Sequence, residues 1–123
     1  MQMWKGLKMA DVLEFSLVLR TREIVLKDED DLKSNYTLKE LIGEGRDVWL
    51  EFVRSRMTVR DGKVQDVSSL KGLQAELVSM CLFDSNDMPV GREAIQKYPA
   101  HVLTALFETA QELSDLNEEP KNV

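Results

Sequence analysis

One cysteine and one histidine in 123 residues leave little room for conventional catalytic chemistry. A lone thiol, Cys81, excludes an intramolecular disulfide, a CxxC redox pair and a thiolate zinc cluster, and a reducing cytoplasm is the natural setting for it. His101 is the only histidine, so histidine-based metal clusters are excluded and Cys81 with His101 is the sole conventional nucleophilic pair. Cys81 stands among Leu77, Met80 and Leu82 on a core-like face, where cysteine behaves as a small hydrophobe. His101, near the start of a helix, reads as an exposed residue.

Long apolar runs are lacking too. The densest, from Phe15 to Leu19, includes Ser16 and falls far short of the ~20 residues a membrane helix needs. Lys5, Lys8 and Asp11 interrupt the N-terminus before an apolar signal region develops, so no signal peptide is expected. Among six glycines there is no GxGxxG and no Walker-type loop; Gly43-Glu44-Gly45 is followed by nothing that would hold phosphate. Asp84, Asn86 and Asp87 begin like a calcium loop, but Met88 and Pro89 occupy the positions that need an oxygen ligand and a glycine. No cofactor or metal is expected.

Basic excess is absent: Lys plus Arg number 16 against 22 Asp plus Glu, a net charge of −6. Such a field repels nucleic acid and anionic membranes, and neither is an expected partner. Arg54, Arg56 and Arg60 read as the solvated end of a helix. Glu108, Glu112, Asp115, Glu118 and Glu119 read as solvated acids on the polar side of a helix and its tail.

What is present suits one globular domain, with 43% hydrophobic and 31% charged residues. The pattern predicts an α+β fold, mainly α, with an N-terminal β-hairpin followed by three to four helices. Residues 14–27 predict one or two strands, because Phe15, Leu17 and Leu19 share one parity while Ile24 and Leu26 share the other; the switch near Thr21 calls for a turn or a bulge. Residues 28–35, acidic and then rich in turn formers, predict an exposed loop leading to a strand over residues 36–41, with a capping box at Thr37 and Glu40 as the competing reading. Gly45, Val48, Trp49, Phe52 and Val53 give one face to a helix over residues 43–57. A short connector with a turn signal at Asp61-Gly62 follows, then N-cap candidates at residues 66–69 and a helix over residues 69–82 carrying Leu70, Leu73, Leu77 and Met80. After a helix-ending turn at residues 84–89, residues 91–98 predict a short helix. Pro99 suits the first turn of a last one, whose stripe is Leu103, Leu106, Phe107, Ala110 and Leu113, running to about Leu116. Residues 1–116 thus form the expected domain and residues 117–123 a flexible polar tail.

With chemistry so sparse, the expected activity is binding other proteins without catalysis. The N-terminal stretch holding Met1, Met3, Trp4, Leu7 and Met9 either binds a partner or packs over its own core. The candidate partner-binding residues are Met3, Trp4, Leu7, Trp49, Phe52, Leu103, Leu106 and Phe107.

Three segments in order carry a resemblance to a known family. They are YTLKELIG at residues 36–43 entering a helix with Arg46-Asp47 and Trp49; KGLQAELVSMCL at residues 71–82 with an acidic turn and Met88-Pro89-Val90; and IQKYPA at residues 95–100 with ALFETAQEL at residues 105–113. Together they resemble the tail assembly chaperones of long-tailed bacteriophages. The acidic insertion at residues 28–35 and Ile42 before the helix depart from the family pattern.

The resemblance implies a non-catalytic factor in the cytoplasm of the infected bacterium that binds the tape measure protein, keeps it soluble and promotes tail tube polymerisation around it, without staying in the mature virion. It further implies contact with the tail tube protein through a longer frameshifted form, with which Pro120-Lys121-Asn122 is compatible as a slippery run of adenines. Self-association is expected, since several copies along one client bind by avidity. A small structural completion or connector protein retained in the virion tail is the alternative.

Overall fold

Leu38 and Leu82 face each other at the centre of a three-stranded antiparallel sheet, and both are fully buried. The computed structural model describes residues 12–60, 63–67 and 72–116. In it β1 (Thr21–Lys27) pairs with β2 (Lys33–Lys39), and β2 pairs on its other side with β5 (Leu82–Asp84). The expected α+β architecture is present: a β-hairpin first, then α1 (Gly43–Arg54), α2 (Leu73–Cys81), α3 (Arg92–Gln96) and α4 (Ala100–Leu113). Between α1 and α2 lies a separate ribbon of β3 (Met57–Arg60) and β4 (Lys63–Val67).

Strand parity decides which face of the sheet meets the helices. The register sets Ile24 opposite Tyr36 and Arg22 opposite Leu38, so Ile24, Tyr36, Leu38 and Leu82 share the inner face and pack on the core. The outer face carries Glu23, Val25, Thr37, Lys39 and Phe83. There the Lys39 ammonium sits 4.6 Å from the centre of the Phe83 ring and 2.6 Å from Asp87. In the hairpin loop, Asp28 Oδ1 accepts from the N–H groups of Asp30 and Leu32, and Asp31 takes the left-handed φ of 64° that a short polar side chain tolerates.

Two strand expectations are corrected. Residues 12–20 form no strand, because β2 runs out at Lys39 opposite Thr21 and the chain then turns into α1, leaving residues 15–19 no ladder to join. The parity switch at Thr21 is therefore neither turn nor bulge; it marks where the strand starts. In the other direction, the hairpin loop is shorter than expected, since Lys33, Ser34 and Asn35 belong to β2, and Thr37 lies within that strand rather than capping a helix.

The helices shorten relative to expectation for local reasons. Gly72, at the head of α2, has a φ of 77°, which no right-handed helix continues through, so α2 starts at Leu73; of the expected N-cap candidates, Asp66 and Val67 belong to β4, and Ser68 and Ser69 lie outside the described residues. Leu82 leaves the helical region and enters β5. Ser55 closes α1, which ends at Arg54, so Met57, Val59, Arg60 and Val64 belong to a β-ribbon where a plain connector was expected. The expected turn residues Asp61 and Gly62, and Leu70, lie outside the described residues. Asp115, with a φ of 57°, ends α4's last turn, and Leu116 N–H folds back to the Gln111 carbonyl.

α2 is the hub, touching α1, α3 and α4. Its Ala75, Leu77, Val78 and Cys81 are buried against Ile95 of α3, Leu106, Ala110 and Leu113 of α4, and Trp49 of α1. On α1 the inward stripe is Trp49, Phe52 and Val53, while Val48, expected on that side, is exposed.

Candidate functional site

An eight-residue stretch, residues 12–19, holds six apolar side chains and one charge, Glu14. Val12, Leu13, Phe15, Leu17 and Val18 are all exposed, Phe15 to 81% and Leu17 to 98%. The arm bends at Val18, whose N–H donates to the Ser16 hydroxyl at 3.2 Å. Fully burying such side chains is worth about 1.5–3 kcal/mol each, and contiguous exposed apolar stretches of this kind mark interaction sites.

The root of this arm is fixed. Arg20 N–H donates to Glu40 Oε1 at 2.6 Å, and the Arg20 guanidinium reaches Glu40 Oε2 at 3.3 Å and Asp115 Oδ2 at 2.8 Å. The N–H donated by Arg20, foremost, holds the Glu40 carboxyl below the ordinary carboxylate range, and the two carboxylates hold the Arg20 guanidinium above its usual value. Close by, Leu41 N–H donates to the buried Ser114 hydroxyl at 2.9 Å, tying the end of β2 to the end of α4.

From that root the arm leaves a groove of about 360 Å³ lined by Leu19, Leu41, Ile42, Met80 and Phe83 with Lys39, Glu40 and Gly45. The groove is nearly all apolar because α1 begins without a polar cap: Ile42 stands at the N-cap position and is itself exposed. A Cβ on Gly45 would lie 3.4 Å from Leu41 and 3.7 Å from Met80, so the floor is closely packed there. A second cavity, about 540 Å³, lies between α2, α3 and α4 and includes Leu73, Ala75, Leu103 and Phe107 in its lining.

Of the expected partner-binding residues, Trp49 and Leu106 are buried in the core of the single chain, and Phe52, Leu103 and Phe107 are half-buried around them. Trp49 stacks on Phe52 at 5.7 Å and meets the edge of Phe107 at 6.3 Å. Leu103 and Phe107 reach the larger cavity; Trp49 and Leu106 line neither cavity. Met3, Trp4 and Leu7 lie outside the described residues, as do residues 117–123. The arm was visible in sequence as the densest apolar run, and its exposure was hidden because alternation reads as a strand.

The remaining chemistry-bearing residues take structural places. Burial pushes the Cys81 thiol up to about 12, and His101 is exposed on the first turn of α4. Asp84 Oδ1 accepts from the N–H groups of Asn86 and Met88, which makes the acidic stretch a closed turn. Arg54 pairs with Glu51 on α1, Arg56 lies over the Phe52 ring at 4.1 Å, and Arg60 belongs to β3 rather than to a helix end. Among the described residues no group of acids, His and Cys could hold a metal ion, and no helix is long and apolar enough to cross a membrane.

The chain matches no family model and no curated protein in sequence. Among solved structures it is similar to the bacteriophage HK97 tail assembly chaperone, at a TM-score of 0.51 and 21% identity over 77% of this chain and 85% of that one. The likeness is one of fold: a tail-assembly-chaperone-like arrangement.

Proposed function

We propose that this chain is a phage tail assembly chaperone that binds the tape measure protein through the arm of residues 12–19 and the groove at its root. The observation that carries the reading is the exposed apolar arm, fixed at Arg20 and free of any strand ladder. The tail-assembly-chaperone-like fold supports it from a separate direction.

The physics fits the task. A tape measure protein is long and helical, and its apolar stripes need cover until the tube closes round it. An arm exposing Leu13, Phe15 and Leu17, joined through Leu19 to a groove floored by Leu41, Met80 and Phe83, offers apolar surface to such a client. The molecule as a whole, at net charge −6, keeps the complex in solution.

On this reading the protein acts in the cytoplasm of the infected host, is absent from the mature virion, and promotes polymerisation of the tail tube around its client, a longer frameshifted form contacting the tube protein. Copies self-associate along the client, so modest affinity per copy suffices. Coexpression with the tape measure protein of the same genome tests the reading. A soluble client that copurifies with the chain is expected; an insoluble client with no chain bound contradicts it.

A further inference from the structure

β1 is an edge strand, and among the described residues nothing pairs with its outer side. The phase of its backbone follows from the bonds at its two ends. Glu40 N–H donates to the Arg20 carbonyl and Asp28 N–H to the Leu32 carbonyl, in the same register that pairs Ile24 with Tyr36. Bonded and non-bonded pairs alternate along an antiparallel ladder, so Arg22, Ile24 and Leu26 bond to β2 while Thr21, Glu23, Val25 and Lys27 turn their N–H and C=O groups outward.

Edge strands are usually blunted by proline, a bulge or a mid-strand lysine. The middle of β1 has none of these: its centre is Ile24, Val25 and Leu26, its register with β2 is unbroken, and Val25 is 54% exposed.

We propose that β1 pairs antiparallel with β1 of a second copy about a twofold axis through Val25, joining the two sheets into one. The inference rests on the self-association proposed above and assigns it a surface. In this register Val25 meets Val25, Glu23 meets Lys27 of the second copy, Arg22 meets its Asp28, and Ile24 meets its Leu26. Opposite charges and apolar side chains are matched on both sides of the axis, and the residues with outward N–H groups fall opposite one another. Moving the axis to Glu23 sets that carboxylate against its own copy. Moving it to Ile24 sets Glu23 against Val25 and Arg22 against Leu26. Like charges directly opposite are destabilising, and matched pairs are stabilising. The chosen register also brings the acidic loop of the second copy, residues 28–31, towards Arg20 and Arg22.

Charge reversal tests the pairing on the full chain by sedimentation equilibrium at low salt, with circular dichroism as the check on folding. Glu23→Lys alone and Lys27→Glu alone each place like charges together twice per dimer, and each is expected to weaken dimerisation on the order of tenfold. The double variant restores the match and the wild-type constant. In a Cys81→Ala background, Val25→Cys forms a disulfide-linked dimer under mild air oxidation, because facing Cα atoms in a bonded pair lie about 5.5 Å apart; Thr21→Cys does not. A wild-type chain that stays monomeric overturns both self-association and this surface. Self-association that ignores both reversals and yields no Val25→Cys crosslink overturns the surface alone.

Discussion

Arg20 and Glu40 bond to each other in both directions: Glu40 N–H donates to the Arg20 carbonyl at 2.9 Å, and Arg20 N–H donates to the Glu40 side chain at 2.6 Å. The second bond uses a carboxylate where a ladder would use a backbone carbonyl, so the sheet ends at this pair. Beyond it one chain leads out into the apolar arm and the other into α1.

That substitution has a pH signature. The Glu40 carboxyl is held below the ordinary range, first by the Arg20 N–H. A depressed folded pKa contributes stability that is fully present above the unfolded carboxylate pKa and is lost as pH falls through the folded value. Glu40→Gln should therefore lower the urea midpoint at about pH 7, and the difference from wild type should shrink as pH falls below the ordinary carboxylate range. Equal midpoints at neutral pH would show that the negative charge of Glu40 contributes nothing to stability.

The arm should be separable from the fold. Phe15 and Leu17 are exposed, so Phe15→Ser with Leu17→Ser should change unfolding free energy by no more than about 0.5 kcal/mol. Binding of an apolar fluorescent dye should fall in the same variant. A large loss of stability would place these side chains inside the native core.

Leu38 sits where the sheet meets the helices and is fully buried opposite Leu82. Leu38→Ala should cost about 2–5 kcal/mol in urea denaturation, by lost burial and a residual cavity. Val48→Ala, on the exposed side of α1, should stay within about 0.5 kcal/mol.

Cys81 offers an alkaline test. Burial raises its thiol from 9.0 to about 12, so native protein at mildly alkaline pH should be nearly inert to a thiol-reactive disulfide reagent, and denatured protein should react fully. The folded state binds this proton more tightly than the unfolded one, so its contribution is whole below about pH 9 and is lost as pH rises towards about 12. Cys81→Ala should lack that component of alkaline destabilisation.

Much of the fold was legible because its signals are local. The stripe of Leu103, Leu106, Phe107, Ala110 and Leu113 needs only helical periodicity, and α4 forms there over residues 100–113, ending short of the expected Leu116 because Asp115 takes a left-handed φ of 57°. β5 was not legible: Leu82, Phe83 and Asp84 continue the apolar run of α2, and they become a strand only because β2 lies alongside. The arm failed in the opposite sense, since Phe15, Leu17 and Leu19 alternate like a strand but find no strand partner among the described residues. Strandedness depends on a distant segment, which periodicity does not report. For the same reason Trp49 and Leu106, expected at a partner surface, lie in the core: an apolar helix face looks alike in sequence whether its own chain or another covers it.

The central claim is that the arm of residues 12–19 keeps a tape measure protein soluble. The direct measurement is the soluble fraction of that protein, from the same genome, coexpressed with wild type, with the Phe15→Ser, Leu17→Ser variant, or alone. A largely soluble, copurifying client is expected with wild type and a largely insoluble one in the other two cases. A client as soluble with the arm variant as with wild type, or equally soluble alone, would contradict it.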